Sequence, residues 1–235
     1  MKKRLLVIAV LLMAAFVCIT VLNGMDTELS PNEPSGSGTA ATDTADIKPS
    51  SKGSPYKFYF ERLTPVEKRA YNAIIEKIYD MPERIAVPKI DGKELDNVFS
   101  ALLFDNPDLF FLGRKCAVET RMWLTYFSVD YIIDKADIAD MRERLERECE
   151  AFEQTLTDPG NQWRTELEIH DQVIDRCEYH DPEGDLIYSS SYGALVNGRA
   201  ACEGYSKAVK LLLDRAGIEN ALISGVSENG EGSGG

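Results

Sequence analysis

The sequence predicts an α+β fold, and three features lead to this prediction. Apolar residues recur at helical spacing in several long segments, which indicates amphipathic helices. Between residues 116 and 133 the content of β-branched and aromatic residues rises, which predicts one or two strands. A helix that begins at Cys202 has one apolar face, and we expect this face to be buried from Cys202 onward. The segment around that helix also contains the clearest functional pattern in the chain.

The first 24 residues are typical of a targeting segment. Lys2, Lys3 and Arg4 precede an almost entirely apolar run over residues 5–22. A signal peptide has about 7–15 apolar residues, whereas a membrane-spanning helix needs about 17–25. Residues 1–24 are therefore either a cleaved signal peptide or an uncleaved membrane anchor. Because positive residues keep their end of such a segment in the cytoplasm, we expect an extracellular or cell-surface domain.

Composition suggests three regions after the targeting segment. Residues 25–55 are rich in Ser, Thr, Gly, Pro and Asp, which predicts a disordered tether. An N-terminal α/β region is expected at 56–134 and a second domain at 135–235.

The formal net charge of −13 argues against a nucleic-acid partner, because phosphates require a basic surface.

Helix signals are local and specific in the α/β region. Thr64 and Glu67 have the spacing of a capping box, with Pro65 at the first helical position. Asp91 and Glu94 repeat the capping spacing before a second apolar stripe. Each pattern predicts the start of a helix.

Further elements follow from residue 135 onward. A charged helix over about 135–156 has an apolar stripe that includes Cys149, which predicts a buried thiol. The apolar face of the next helix, over about 162–177, contains Trp163, Leu167, His170, Ile174 and Cys177. We also expect a short helix after Ser191, a buried strand over 220–226 and a polar loop over 227–235.

The four cysteines after the targeting segment are Cys116, Cys149, Cys177 and Cys202. Outside the cytoplasm an even number of cysteines is compatible with disulfides. The spacings do not contain the C-x-x-C pattern of a zinc site. Our interpretation is that they are buried free thiols, with Cys202 as a nucleophile, and that the chain needs neither metal nor cofactor.

The helix at Cys202 has clear ends. Asn197-Gly198 is a turn signal, and Gly217 suits the left-handed position that follows a last helical turn. A cysteine in the first turn lies near the positive end of the helix dipole, which favours the nucleophilic thiolate.

These residues resemble the nucleophile helix of the transglutaminase-like superfamily, and in particular its exported bacterial members. The matching positions are Gly198, Cys202, Gly204, Tyr205, Ala208, Leu211, Leu212, Gly217 and Ile218, together with the preceding run Ser191–Leu195. The resemblance covers roughly residues 162–226. A weaker one covers residues 105–111, which resemble a module that often precedes the catalytic domain. The family has a papain-like core in which the nucleophile helix packs on an antiparallel sheet.

The resemblance implies a thiol enzyme that acts on amide or peptide carbonyls of a protein or peptide substrate. Cys202 would form a thioester, and water or an amine would take the acyl group. Tyr192 matches an aromatic position of the family and would line the cleft or donate to the oxyanion. The family has its catalytic histidine and aspartate downstream of the cysteine, but this sequence has no histidine after Cys202. We therefore expect an incomplete catalytic domain that is inactive in this form.

The two histidines of the sequence, His170 and His180, precede the cysteine. We expect a structural role for His170 and a solvated loop position for His180. The alternative to an enzyme is a non-catalytic binding module at the cell surface that keeps the fold without the triad. A disulfide-stabilised secreted domain is a third possibility. The sequence does not indicate an oligomeric state.

Overall fold

The computed structural model describes residues 47–181 and 183–225. The predicted targeting segment at 1–24, the tether up to residue 46 and the loop at 227–235 lie outside the described residues. Of these, residues 47–181 and 183–222 belong to one compact unit. Over the same residues every helix is too short or too polar to cross a bilayer.

The structure is α+β, as predicted. In chain order its elements are α1 (Pro65–Ile78), β1 (Ile85–Val87), α2 (Gly92–Asp105), β2 (Leu112–Arg121), β3 (Leu124–Tyr131), α3 (Ile138–Glu153), α4 (Gln162–Arg176), β4 (Glu178–Tyr179), α5 (Ser191–Leu195), β5 (Arg199–Ala200) and α6 (Cys202–Arg215). Short 3₁₀ turns occur at Phe60–Arg62 and Leu186–Ser189.

Both predicted capping boxes are present. At the start of α1 the backbone N–H of Thr64 donates to Glu67 Oε2 at 2.7 Å, and the backbone N–H of Glu67 donates to Thr64 Oγ1 at 3.4 Å. At the start of α2 the two equivalent bonds between Asp91 and Glu94 are both 2.8 Å. These bonds satisfy N–H groups that a helix leaves unpaired, which is why the sequence pattern located both helices.

The antiparallel sheet has the strand order β1-β3-β2. The rise in β-branched and aromatic residues corresponds to the hairpin of β2 and β3, which turns at Met122 and Trp123. Strand β1 was not predicted, because three residues are too few for an alternating pattern to be recognised. A second, two-stranded sheet joins β4 and β5 in parallel.

The prediction for α3 is confirmed, whereas that for the apolar face of α4 is wrong over the first part of the helix. Cys149 of α3 is 1% exposed and lies in the core. On α4 the buried residues are Thr165, Ile169 and Val173. The first part of the predicted stripe faces outward, with Trp163 75% exposed and His170 also exposed, whereas Ile174 is half-buried and Cys177 is buried. The helix has two apolar stripes, and its contacts with α5 and α6 bury the β-branched one.

One hydrophobic cluster extends from Phe60 to Leu212 and so includes both the 56–134 and the 135–235 regions. Polar contacts also join the two regions. Ser191 Oγ donates to the carbonyl oxygen of Pro107 at 2.6 Å, and Ser54 Oγ donates to Asp214 Oδ2 at 2.7 Å. Contacts of the chain with the core thus begin before residue 56, through the hydrogen bond of Ser54 and through Ile47, which packs against the hydrophobic cluster.

Helix α6 ends as predicted. The N–H of Ile218 donates to the carbonyl oxygen of Leu213 at 3.0 Å, the N–H of Gly217 donates to that of Asp214 at 3.2 Å, and Gly217 has φ +74°. This is the Schellman arrangement.

The strand predicted at 220–226 is wrong over residues 220–225, which have no partner strand among the described residues. Val226 lies outside them.

Candidate active site

The candidate site is the N-terminus of α6. Ala201 precedes the helix in an extended conformation (φ −79°, ψ 175°) and provides no side-chain cap. Gly198, with φ +65°, makes the turn that leads into β5. Cys202 is therefore the first helical residue, at an end where backbone N–H groups point outward without a capping side chain.

Gly204 lets this end of α6 sit closely on the turn formed by residues 188–190. A Cβ atom at Gly204 would lie 2.6 Å from the carbonyl oxygen of Tyr188 and 3.0 Å from that of Ser190. It would also lie 2.8 Å from Ala200 Cβ. The N–H of Ala201 donates to the same Tyr188 oxygen at 2.8 Å. Gly204 thus allows close packing at this end of α6, and the contact determines where Cys202 lies.

The Cys202 side chain is exposed, contrary to the prediction that the buried face begins at this residue. The buried face of α6 contains Gly204, Ala208 and Leu212, so Cys202 points away from it. This difference arises because Gly204, which has no side chain, is the residue of the first turn that faces the core. An exposed thiol at a helix N-terminus is accessible to a large substrate.

The other three described cysteines are less accessible. All four are free thiols in the structure. Burial raises the pKa of Cys149 to about 12 and that of Cys116 to about 11. Burial also raises the pKa of Cys177. Because the thiolate is the nucleophile, these three thiols are poor candidates for acyl transfer.

Charged side chains surround the first turn of α6. Glu203 Oε2 accepts from Arg114 Nη2 at 2.8 Å, and Glu203 Oε1 lies 2.8 Å from Lys207 Nζ. Arg114 Nη2 also lies 3.4 Å from Ser189 Oγ. These pairs are partly exposed and contribute at most about 1 kcal/mol each. Their effect is to join β2 to the helix end, a contact between residues 89 apart that no local pattern predicts.

Tyr192 is buried, whereas the thiol of Cys202 is exposed. Tyr192 is 4% exposed, and its ring centroid lies 4.9 Å from that of Phe110. Tyr192 therefore packs in the core, where it joins α5 to the segment before β2. Tyr188 is only partly buried, and its carbonyl oxygen supports the N-terminus of α6.

The two histidines differ in position from what the sequence suggested. His170, predicted to be a structural residue on an apolar face, is exposed, and its Nδ1 lies 3.1 Å from Oδ1 of Asp171. His180, predicted to lie in a solvated loop, extends the pairing of β4 with β5, because its N–H donates to the carbonyl oxygen of Ala200 at 2.9 Å. Its ring centroid is 4.3 Å from that of Tyr188. The tertiary structure therefore brings His180 alongside the residues that lead into Cys202.

Within the part of the chain that the structure describes, His, Cys, Asp and Glu side chains do not gather in groups of three or more that could hold a metal ion.

A scan against protein-family models found no match to this chain. A search of curated proteins likewise found no similar sequence.

Proposed function

We propose that this chain contains the nucleophile region of a transglutaminase-like thiol enzyme with a papain-like core. The observation that supports this most is the exposed Cys202 thiol at the uncapped N-terminus of α6. The α+β architecture adds support, as do three glycines at positions that the resemblance includes: Gly198 and Gly217 have positive φ, and Gly204 allows close packing.

The proposed reaction is acyl transfer through a thioester. A general base takes the proton of the Cys202 thiol, and the thiolate attacks the carbonyl carbon of an amide to form a C–S bond. The C–N bond breaks as the base gives that proton to the leaving amine. Water or a second amine then attacks the thioester carbonyl and releases the thiolate. Backbone N–H groups at the start of α6 are suited to stabilise the oxyanion, since they are oriented before the reaction begins. The resemblance assigns the general base to a histidine downstream of Cys202.

The test uses the protein purified from its native host, with its intact mass recorded to define both chain ends. Hydrolysis of a peptide library and incorporation of a fluorescent amine into casein measure the two outcomes of acyl transfer. Cys202→Ala is expected to abolish both activities, and Cys116→Ser is the matched control that should retain them. An active Cys202→Ala protein contradicts the proposal.

The thioester itself can be detected. An activated ester should add one acyl group to the wild-type protein, and hydroxylamine should remove it. Moving the thiol one turn along α6, in Cys202→Ser combined with Ser206→Cys, keeps the helix and the exposure but removes the terminal position. The helix dipole contributes about 0.3–1 kcal/mol at such a site, so we expect the wild-type thiol to react about two- to fivefold faster at pH 7. Equal rates favour the non-catalytic binding module.

A further inference from the structure

The second half of α6 borders a cavity of about 610 Å³ that is separate from the Cys202 site. Arg215, which lines the cavity, lies roughly 20 Å from Cys202 along the helix, at 1.5 Å per residue. Helix α3 and residues 52–55 form other walls. Small-molecule sites typically have volumes of about 300–1,000 Å³. The cavity is therefore large enough for a ligand.

Part of the wall is apolar, with Phe110, Leu145 and Leu211 facing the cavity. Most of its charged side chains are already paired. Arg215 forms ion pairs with Glu146 and Glu153. These groups hold α3 and α6 together and have little capacity left for a ligand.

Asp214 and Lys52, also in the wall, are paired as well. Asp214 accepts from Lys210 Nζ, which lies 3.1 Å from both carboxylate oxygens. Lys52 Nζ lies 3.6 Å from Glu76 Oε2 and donates to the Glu76 carbonyl oxygen at 2.6 Å.

Arg142 and Asp108 differ from the other charged residues of the wall. One Nη of Arg142 donates to the carbonyl oxygen of Tyr79 at 2.7 Å, and its guanidinium lies 5.1 Å from the ring centroid of Tyr79 and 4.9 Å from that of Phe111. Among the described residues no carboxylate lies within 4.0 Å of this guanidinium, and its remaining N–H groups have no protein acceptor. A guanidinium has five N–H donors in a planar fork that matches a carboxylate.

Asp108 faces the same cavity from the segment before β2. Its Oδ2 accepts from the hydroxyl of Tyr79 at 2.6 Å, and within the described chain no cation lies within 4.0 Å of it. Burial raises the pKa of Asp108 and lowers that of Arg142, since neither charge is fully compensated by the protein. The cavity thus contains one cation and one carboxyl group that share Tyr79 as a support but form no ion pair with each other.

We propose that this cavity binds the carboxylate end of an apolar amino acid or short peptide, with the ligand carboxylate on Arg142 and a ligand N–H donor on Asp108. When Asp108 is ionised the net charge of these two groups is zero, so a ligand that has one negative group and one donor compensates both. A phosphate would bring further negative charge towards Asp108. Phe110, Leu145 and Leu211 provide the apolar surface for the side chain. The proposal does not depend on the thiol chemistry of Cys202.

The experiment is calorimetric titration of the full chain with L-leucine, glycyl-L-leucine and L-leucinamide. Leucine and glycyl-leucine are both expected to bind. If leucine has the lower dissociation constant, the ligand is a free amino acid; if glycyl-leucine does, the ligand is a peptide terminus. Because charge-assisted hydrogen bonds contribute about 1.5–3 kcal/mol, loss of the carboxylate in leucinamide should weaken binding about tenfold or more. The same loss is expected for Arg142→Lys, which retains the charge without the fork.

The matched control is Arg144→Lys. Arg144 lies on the same helix, is exposed, and pairs with Asp140 at 2.9 Å. This variant should bind as the wild type does, and far-ultraviolet circular dichroism should show that each variant is folded. Equal binding of leucine and leucinamide, retained binding in Arg142→Lys, displacement of leucine by inorganic phosphate, or absence of binding at about 10 mM ligand would each overturn the proposal.

Discussion

Gly204→Ala is expected to lower the free energy of unfolding by about 2 kcal/mol. The added methyl group would lie 2.6 and 3.0 Å from the carbonyl oxygens of Tyr188 and Ser190, and 2.8 Å from Ala200 Cβ. Backbone oxygens cannot rotate away, so α6 must shift. Overpacking of this kind costs about 1–3 kcal/mol, and three short contacts place the cost near the upper limit. The greater helix propensity of alanine returns about 1 kcal/mol.

Urea denaturation followed by circular dichroism measures this change. Gly92→Ala is the matched control, because Gly92 is also in the first turn of a helix but has nothing within 4 Å of the added methyl group. That variant should be unchanged or more stable by up to about 1 kcal/mol. If Gly204→Ala proves as stable as Gly92→Ala, the close seating of α6 on the 188–190 turn is wrong, and so is the position derived for Cys202.

Three further sets of substitutions test other parts of the structure by the same assay. Lys210→Met should cost about 3–5 kcal/mol by leaving the buried carboxylate of Asp214 without its cation, and adding Asp214→Leu should recover part of this; a single variant as stable as wild type would contradict the buried pair. Burial raises the pKa of the Asp108 carboxyl group above 3.8, so the folded state binds the carboxyl proton more tightly than the unfolded state does. The stability that this protonation contributes is therefore lost as pH rises above 3.8. Asp108→Asn should therefore gain stability relative to wild type between pH 4 and pH 7, and a pH-independent difference would refute this. Met122 has φ +56° whereas Trp123 has negative φ, so Met122→Gly should be neutral or stabilising by about 1 kcal/mol, and Trp123→Gly should destabilise.

Several elements could be predicted because their determinants are close together in the sequence. The capping boxes at Thr64 and Asp91 use side chains three residues apart, and the end of α6 requires a left-handed residue at Gly217. Such interactions form within one helical turn, so the sequence pattern contains all the participants. The same holds for the buried stripe of α3 that includes Cys149.

The orientation of the helices could not be predicted in this way. Helix α4 has two apolar stripes; the one with Ile169 is buried, while the one with Trp163 is exposed over its first part. On α6 the prediction placed Cys202 at the start of the buried face, but Gly204 occupies that position. Periodicity reports that a stripe is apolar, whereas burial depends on which neighbouring element covers it.

From the sequence alone one obtains the α+β class, the limits of most helices and the position of Cys202 at a helix start. The tertiary structure decides the exposure of that thiol, the approach of His180 to the residues before it, and the cavity in which Arg142 and Asp108 lie without an ion pair. The first group depends on hydrogen bonds and steric preferences between residues a few positions apart. The second depends on contacts between elements far apart in the chain, which form only when all the elements have packed.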